Sequence, residues 1–325
     1  MLPVDAGRRG FLIAEVVRGV FISSLVFLTV TLVPLLSTMM LIMVPLPICF
    51  FFAKLGRIRG FLVFVLSLIL VGVVEYAVNA QSSLTILFTL GALGMVLSEV
   101  MKRGLTIGWT ISVAAFAGIF FMGAILIYNS LQFGKLPWDQ IYVYVSSMVQ
   151  ENIKLYGQLD LPSEQMQYIK ENSGKIARIL TYTFPSLSLI SLSVIILVNI
   201  LISRTLFKVA ALPCPDFGDL SLWKASDYLV WILIISGAGI LIPLLWIKFT
   251  ALNLLILCLF IYFLQGIAIV EFFFKRKKAP FYLRFLFYFL IMIQQYLMFF
   301  VVAAGLFDLW IDFRKAPAPT KDQNP

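Results

Sequence analysis

Between Gly19 and Ala53 the chain runs for 35 residues without one charged side chain. Backbone in hydrocarbon must satisfy its own N–H and C=O groups, so a stretch of this kind folds as helix. As one straight helix it would reach about 52 Å at 1.5 Å per residue, against a hydrocarbon core of about 30 Å. It therefore predicts two crossings, or one crossing and a re-entrant piece. Pro34, with Ser37 and Thr38, marks the break, and Pro45 and Pro47 in VPLPICFFF (44–52) kink or shorten the second piece. Arg8, Arg9 and Arg18 precede the stretch, and Lys54, Arg57 and Arg59 follow it. Two basic flanks on one side require an even number of crossings.

Further apolar runs of similar kind cover Phe61–Val78, Ser83–Met101, Ile107–Asn129, Ile179–Ser203, Tyr228–Ile247, Ala251–Phe274 and Phe281–Leu306. Hydrophobic residues make up 61% of the chain and charged ones 13%, more apolar surface than a water-soluble core can hide. Runs such as SLSLISLSVIILVNILIS (186–203) lack the alternation of a membrane β-barrel strand. The fold class is thus all-α, a polytopic membrane helical bundle of about nine transmembrane helices. With the N-terminus in the cytoplasm, sixteen of the 25 basic residues fall on the cytoplasmic side, placing the C-terminus outside. That reading locates the protein in a bacterial inner membrane, with the lipid bilayer as its first partner.

Residues 130–178 interrupt the hydrophobic pattern and are expected outside, folded on the membrane surface. Pro137 followed by WDQIYVYVSSMVQENIKLYGQ (138–158) reads as an amphipathic helix, and Pro162-Ser163-Glu164 opens another, with Ser163 as N-cap. Residues 1–314 are expected to form a single membrane-embedded domain carrying this insert between spans five and six. The proline-rich tail 315–325 is expected to be disordered.

Several function classes are excluded on composition. The net charge of +9 sits in short clusters at the ends of apolar runs, which orients helices and does not form a nucleic-acid surface. Histidine is absent, and Cys49, Cys214 and Cys258 have no metal-ligand spacing, so neither a metal nor a cofactor is expected. There is no phosphate-binding loop, kinase set, HExxH or GxSxG. No catalytic residues are expected, and the protein reads as a non-enzyme.

Polar side chains within spans cost a few kcal/mol each, about 2.5–3.5 for a charged one, and so mark function or packing. Glu75 and Asn79 share one face of the third span and suit an outward pocket beneath the loop carrying Trp138, Asp139, Tyr142 and Tyr144, or else a solvated headgroup position. Glu99 and Glu271 lie within about a turn of Lys102, Arg103 and Lys275 and suit snorkelling ion pairs. Asn199, Asn253 and Gln265 read as interhelical hydrogen-bond partners. The small residues of GALGMVLS (91–98) and SGAG (236–239) read as packing devices, the latter with a bend at Pro243. In GLFDLWIDFRK (305–315), Phe307, Trp310 and Phe313 suit an interfacial anchor whose carboxylates, Asp308 and Asp312, face water and pair with Arg314.

The PLP at 45–47, SDYLVW (226–231), Asn253 with QGIAIVEFF (265–273), and the closing GLFDLWIDFRK together resemble the YybS-like family of predicted membrane proteins (domain of unknown function 2232), over nearly the whole chain. The first six spans also look like the S components of energy-coupling-factor vitamin transporters and like MreD, followed by about three extra C-terminal helices. That resemblance implies a substrate pocket near the outer face, with Glu75, Asn79, Trp138, Asp139 and Tyr142 lining it. It also implies a partner-facing stripe on the first helix, here Gly19 and Ser23 in place of an alanine pair, toward a coupling subunit. The expected function is small-molecule binding or transport through an outward-facing site. The alternative is a non-catalytic membrane scaffold or assembly factor for an envelope complex.

Overall fold

The computed structural model describes residues 4–80, 83–157 and 163–315. Its regular structure is helical, with no strand among the described residues. The helices are α1 (Val4–Leu32), α2 (Pro34–Met43), α3 (Pro45–Leu55), α4 (Arg57–Ala77), α5 (Leu84–Met101) and α6 (Ile107–Phe133). They continue with α7 (Pro137–Tyr156), α8 (Ser163–Val209), α9 (Leu229–Ile240), α10 (Leu245–Arg276), α11 (Phe281–Ile293) and α12 (Gln295–Ile311).

The uncharged N-terminal stretch folds back on itself where proline dictates. α1 stops at Leu32 and α2 opens with Pro34 in its first turn, where the missing N–H has no intrahelical partner to lose. Pro45 opens α3 in the same way, and α2 and α3 together make one span, Pro34–Leu55. Gly56, at φ +82°, then turns the chain into α4, a conformation that side chains with a Cβ rarely adopt.

Seven helices among the described residues are long and apolar enough to cross a membrane, or eight if the bent pair α11–α12 is one span. Against an expectation of about nine crossings, two of the apolar runs are interrupted. The run Tyr228–Ile247 is broken at 241–244, leaving α9 with 12 residues, about 18 Å of helix and too short to cross alone. The run Phe281–Leu306 is bent by 108° at Gln294, so it is no straight crossing. The amphipathic helix expected after Pro137 is α7. The second expected helix merges with the sixth span into the 47-residue α8, because no proline interrupts the chain between Ser163 and Pro185. The capping expected of Pro162, Ser163 and Glu164, and the tail beyond Lys315, lie outside the described residues and side chains.

Within the stretch expected to form one embedded domain, the chain divides into two compact units. The first comprises Met1–Ser173 and Ser191–Asp216, the second Gly174–Ile190 and Phe217–Pro325, so α8 supplies residues to both. In the first unit, α1 packs along α4 and α3 along α5. Helices in lipid gain little hydrophobic energy from meeting, so close van der Waals packing over small residues has to hold them. Gly94 of α5 serves that purpose, since a Cβ there would sit 2.5 Å from the Pro45 carbonyl oxygen. The interior is filled by Phe27, Ile48, Phe64, Leu93 and Leu97, all but inaccessible.

The second unit is built on α10, which packs against α9 and α12. A methyl group on Gly266 would collide with the Val301 carbonyl oxygen, and one on Gly305 with that of Tyr262. The pairing of 262 with 305 and 266 with 301 makes α10 and α12 antiparallel, backbone against backbone. Gly239 meets Ala251 at the α9–α10 contact, and the chain turns at Pro243 as the SGAG motif predicts.

Candidate functional site: a buried carboxylate without a cation

Three acidic side chains among the described residues are buried: Glu15, Glu75 and Asp308. A buried carboxylate is costly unless paired and hydrogen-bonded, so the partners of each decide its role. Glu15 on α1 meets Lys54 at 2.6 Å and Arg18 at 2.7 Å. Asp308 on α12 meets Arg314 at 2.6 Å. Glu75 has no Lys or Arg within ion-pair distance among the described residues.

Glu75 lies in the last turn of α4, about 27 Å along the helix from Arg57. Its Oε1 accepts from Thr31 Oγ1 on α1 at 3.0 Å, from Ser83 Oγ at 2.6 Å and from the Ser83 backbone N–H at 3.3 Å. The two hydroxyls are 2.8 Å apart. Its second oxygen, Oε2, is buried and has no hydrogen-bond partner among the described residues. Three oxygen-bearing side chains therefore converge from α1, α4 and the segment entering α5, around a carboxylate half of whose acceptor capacity is unused.

The other expected site residues fall elsewhere in the same unit. Asn79 is exposed at φ +51°, where the chain turns after α4, and its side chain is not among the partners of Glu75. Trp138, Asp139 and Tyr142 lie exposed on the first turns of α7, which packs on α6 through Ile141 and Val145. Thr31 and Ser83, which complete the Glu75 cluster, were not singled out in the sequence. A hydroxyl in an apolar run is too common to stand out until the fold brings it to a carboxylate.

Gly19 and Ser23, expected to face a partner, face inward instead. Both are buried, and a Cβ on Gly19 would lie 3.0 Å from Val63 and 3.1 Å from Phe51. The small size of Gly19 serves the α1–α4 and α1–α3 contacts. Glu15 was also missed, because it precedes the apolar run; its spacing of four from Gly19 and eight from Ser23 places all three on one helix face, the available signal.

Asp308 corrects the anchor reading of the closing motif, in which both carboxylates face water. It is 1% exposed, its Oδ2 accepting from Arg314 and from Gln265 Nε2 at 3.0 Å, its Oδ1 from the Phe313 N–H at 3.1 Å. Arg314 also donates to the carbonyls of Trp223 at 2.8 Å and Ser221 at 3.2 Å, and Gln265 accepts from the Ala225 N–H at 3.1 Å. The network thereby ties the segment 221–225, which begins within the 3-10 turn Leu220–Leu222, to α10 and α12. Of the ion pairs expected at helix ends, Glu99 meets Lys102 at 3.0 Å and also Arg57 at 2.7 Å, whereas Glu271 pairs with Arg284 at 2.8 Å and not with Lys275, which reaches Asp219 at 2.6 Å.

The three amides expected to bond between helices do so. Asn199 donates to the Ile42 carbonyl at 2.8 Å. Asn253 accepts from the Ser186 N–H at 3.0 Å and donates to the Tyr182 carbonyl at 2.8 Å, spanning the turn of α8 that Pro185 disrupts. A cavity of about 530 Å³ between α9 and α10 is lined mainly by apolar side chains, among them Ile235, Ile242, Trp246 and Leu254, and suits hydrocarbon better than a polar solute.

A chain of this construction, with successive apolar helices and with two of its three buried acids, Glu15 and Asp308, paired to a cation of the chain, is a multi-pass α-helical membrane protein. It belongs to the DUF2232 family of predicted membrane proteins, which it matches over residues 21–309. No curated protein and no solved structure matches the chain significantly.

Proposed function

We propose that this protein is a non-enzymatic membrane component that binds, or passes on, a small positively charged solute at a site centred on Glu75. The observation carrying the reading is the contrast among the buried acids: Glu15 and Asp308 each have a cation from the chain, and Glu75 has none among the described residues. A carboxylate left with an unpaired oxygen in a low-dielectric setting favours whatever brings positive charge to it. The excess of basic residues at the opposite end of α4 supports an inner-membrane orientation with Glu75 toward the outside. In that orientation Asn79, Trp138, Asp139 and Tyr142 are the residues of the outer side that a solute meets first.

The test is thermal unfolding of the detergent-purified protein against a panel of amines, amino acids, vitamins, nucleotides and inorganic salts. A ligand that raises the melting temperature of the wild type and leaves Glu75→Ala unmoved supports the site. A panel without effect on either counts against it.

A second reading, a scaffold for an envelope complex, draws on the aromatic side chains exposed on α7, with Trp138 at 52% and Tyr144 at 60%. Native pull-down with mass spectrometry separates the two. Under this reading a partner protein is recovered with the wild type and lost with a Trp138→Ala, Tyr144→Ala variant, with no ligand effect at Glu75.

A further inference from the structure

We infer that the occupant of the Glu75 site is a single small alkali-metal cation, of sodium size, held by Glu75, Thr31 and Ser83; this rests on the reading of Glu75 as a solute site. Four features select it. The donor set is all oxygen, one carboxylate and two hydroxyls within 2.6–3.0 Å of one another, which suits a hard cation and not a soft one. The chain supplies one formal negative charge there, matching a monovalent ion; divalent calcium draws six to eight oxygen ligands, as a rule from several carboxylates. The side chains that bond the carboxylate are hydroxyls, which suit a bare cation better than the aromatic faces an organic ammonium prefers. Finally, Glu75 Oε2 is buried and unpartnered, an acceptor already desolvated.

Helix geometry adds to the charge. α1 and α4 run parallel, since Gly19 meets Val63 and Thr31 meets Glu75, an advance of twelve residues on both. Thr31 and Glu75 each lie in the last turn of their helix, so two negative helix ends converge on the site. The N-terminus of α5, which opens beside Ser83, offsets one of them. The balance still favours a cation, and the same convergence of helix ends makes an unaccompanied carboxylate costly. With both hydroxyl protons directed at Oε1, a lone pair on each hydroxyl is free for the ion, and Oε2 is a further ligand. No covalent bond is made or broken.

The experiment uses the full-length protein in detergent at constant ionic strength, with sodium chloride replaced stepwise by choline chloride. Saturable stabilisation by sodium is expected, absent in Glu75→Gln. The half-saturating sodium concentration should be about tenfold higher in Ser83→Ala and in Thr31→Val, which also keeps the test open if Glu75→Gln fails to fold. Equal melting in sodium and choline, or a sodium response unchanged in all three variants, overturns the inference. If sodium has no effect while an amine such as ethylamine stabilises the wild type and not Glu75→Gln, the alkali-cation assignment falls and the solute site stands. If neither does, both fall.

Discussion

Single side chains in this protein are answered one at a time. Arg314 is the plainest case, since its guanidinium neutralises Asp308 and closes two backbone carbonyls. Removing it by Arg314→Ala leaves a buried, uncompensated carboxylate, and a loss of about 3–5 kcal/mol is expected in a reversible unfolding titration. Pairing that change with Asp308→Asn should recover part of the loss, because the stranded charge goes with it. At the exposed end of the same unit the effect is smaller and depends on pH. The Lys275 ammonium, with help from the Ser221 hydroxyl, holds the Asp219 carboxyl at about 2, below its ordinary 3.8. Its folded-state pKa is the lower one, so the stability it lends is full above the ordinary value and drains away as pH falls from about 4 toward 2. Asp219 is half exposed, so solvent screens the pair and the contribution is below about 1 kcal/mol. Melting curves of Asp219→Asn should match the wild type at pH 2 and fall slightly below it at pH 6.

At the level of helices, breaks and close approaches decide the architecture. Pro185 removes one N–H from α8 and crowds the preceding turn, and the Asn253 amide takes up both the Ser186 donor and the Tyr182 acceptor. Asn253→Ala should therefore cost about 1–2 kcal/mol in the native chain and much less in a Pro185→Ala background, where a regular helix bonds those groups itself; a double-mutant cycle measures the coupling. Gly305→Ala should loosen α12 from α10 by about 1–3 kcal/mol, because the methyl would press on backbone, which cannot rotate away as a side chain could. Most of this level was readable in advance. The turn at Pro34, the amphipathic stretch after Pro137, and the amides at 199, 253 and 265 all follow from local chemistry. The bend inside the run Phe281–Leu306 left no trace in the sequence because hydropathy is blind to direction: every residue there is acceptable to lipid whether or not the helix bends at Gln294. The Glu75 cluster was half readable, the acid from its cost in an apolar run, its hydroxyl partners only once α1 and α4 lay side by side.

For the molecule as a whole, orientation is the open quantity with the most direct assay. With the basic ends of the helices on the inner side, a cysteine placed at Ser147 in a cysteine-free background should react with an impermeant maleimide on intact cells, and one at Ala279 only after permeabilisation. The reverse pattern would turn the Glu75 site to the cytoplasm. Another consequence follows from the distance along the chain between Arg314 and the carbonyl it holds, 91 residues from Trp223. A ribosome delivers the segment 221–225 long before Arg314, so its two backbone carbonyls wait for their partner through four more helices, α9 to α12, and the Gln265 amide on α10 waits through α11 for Asp308 on α12. The arrival of Asp308 and Arg314 is therefore the step that completes the second unit.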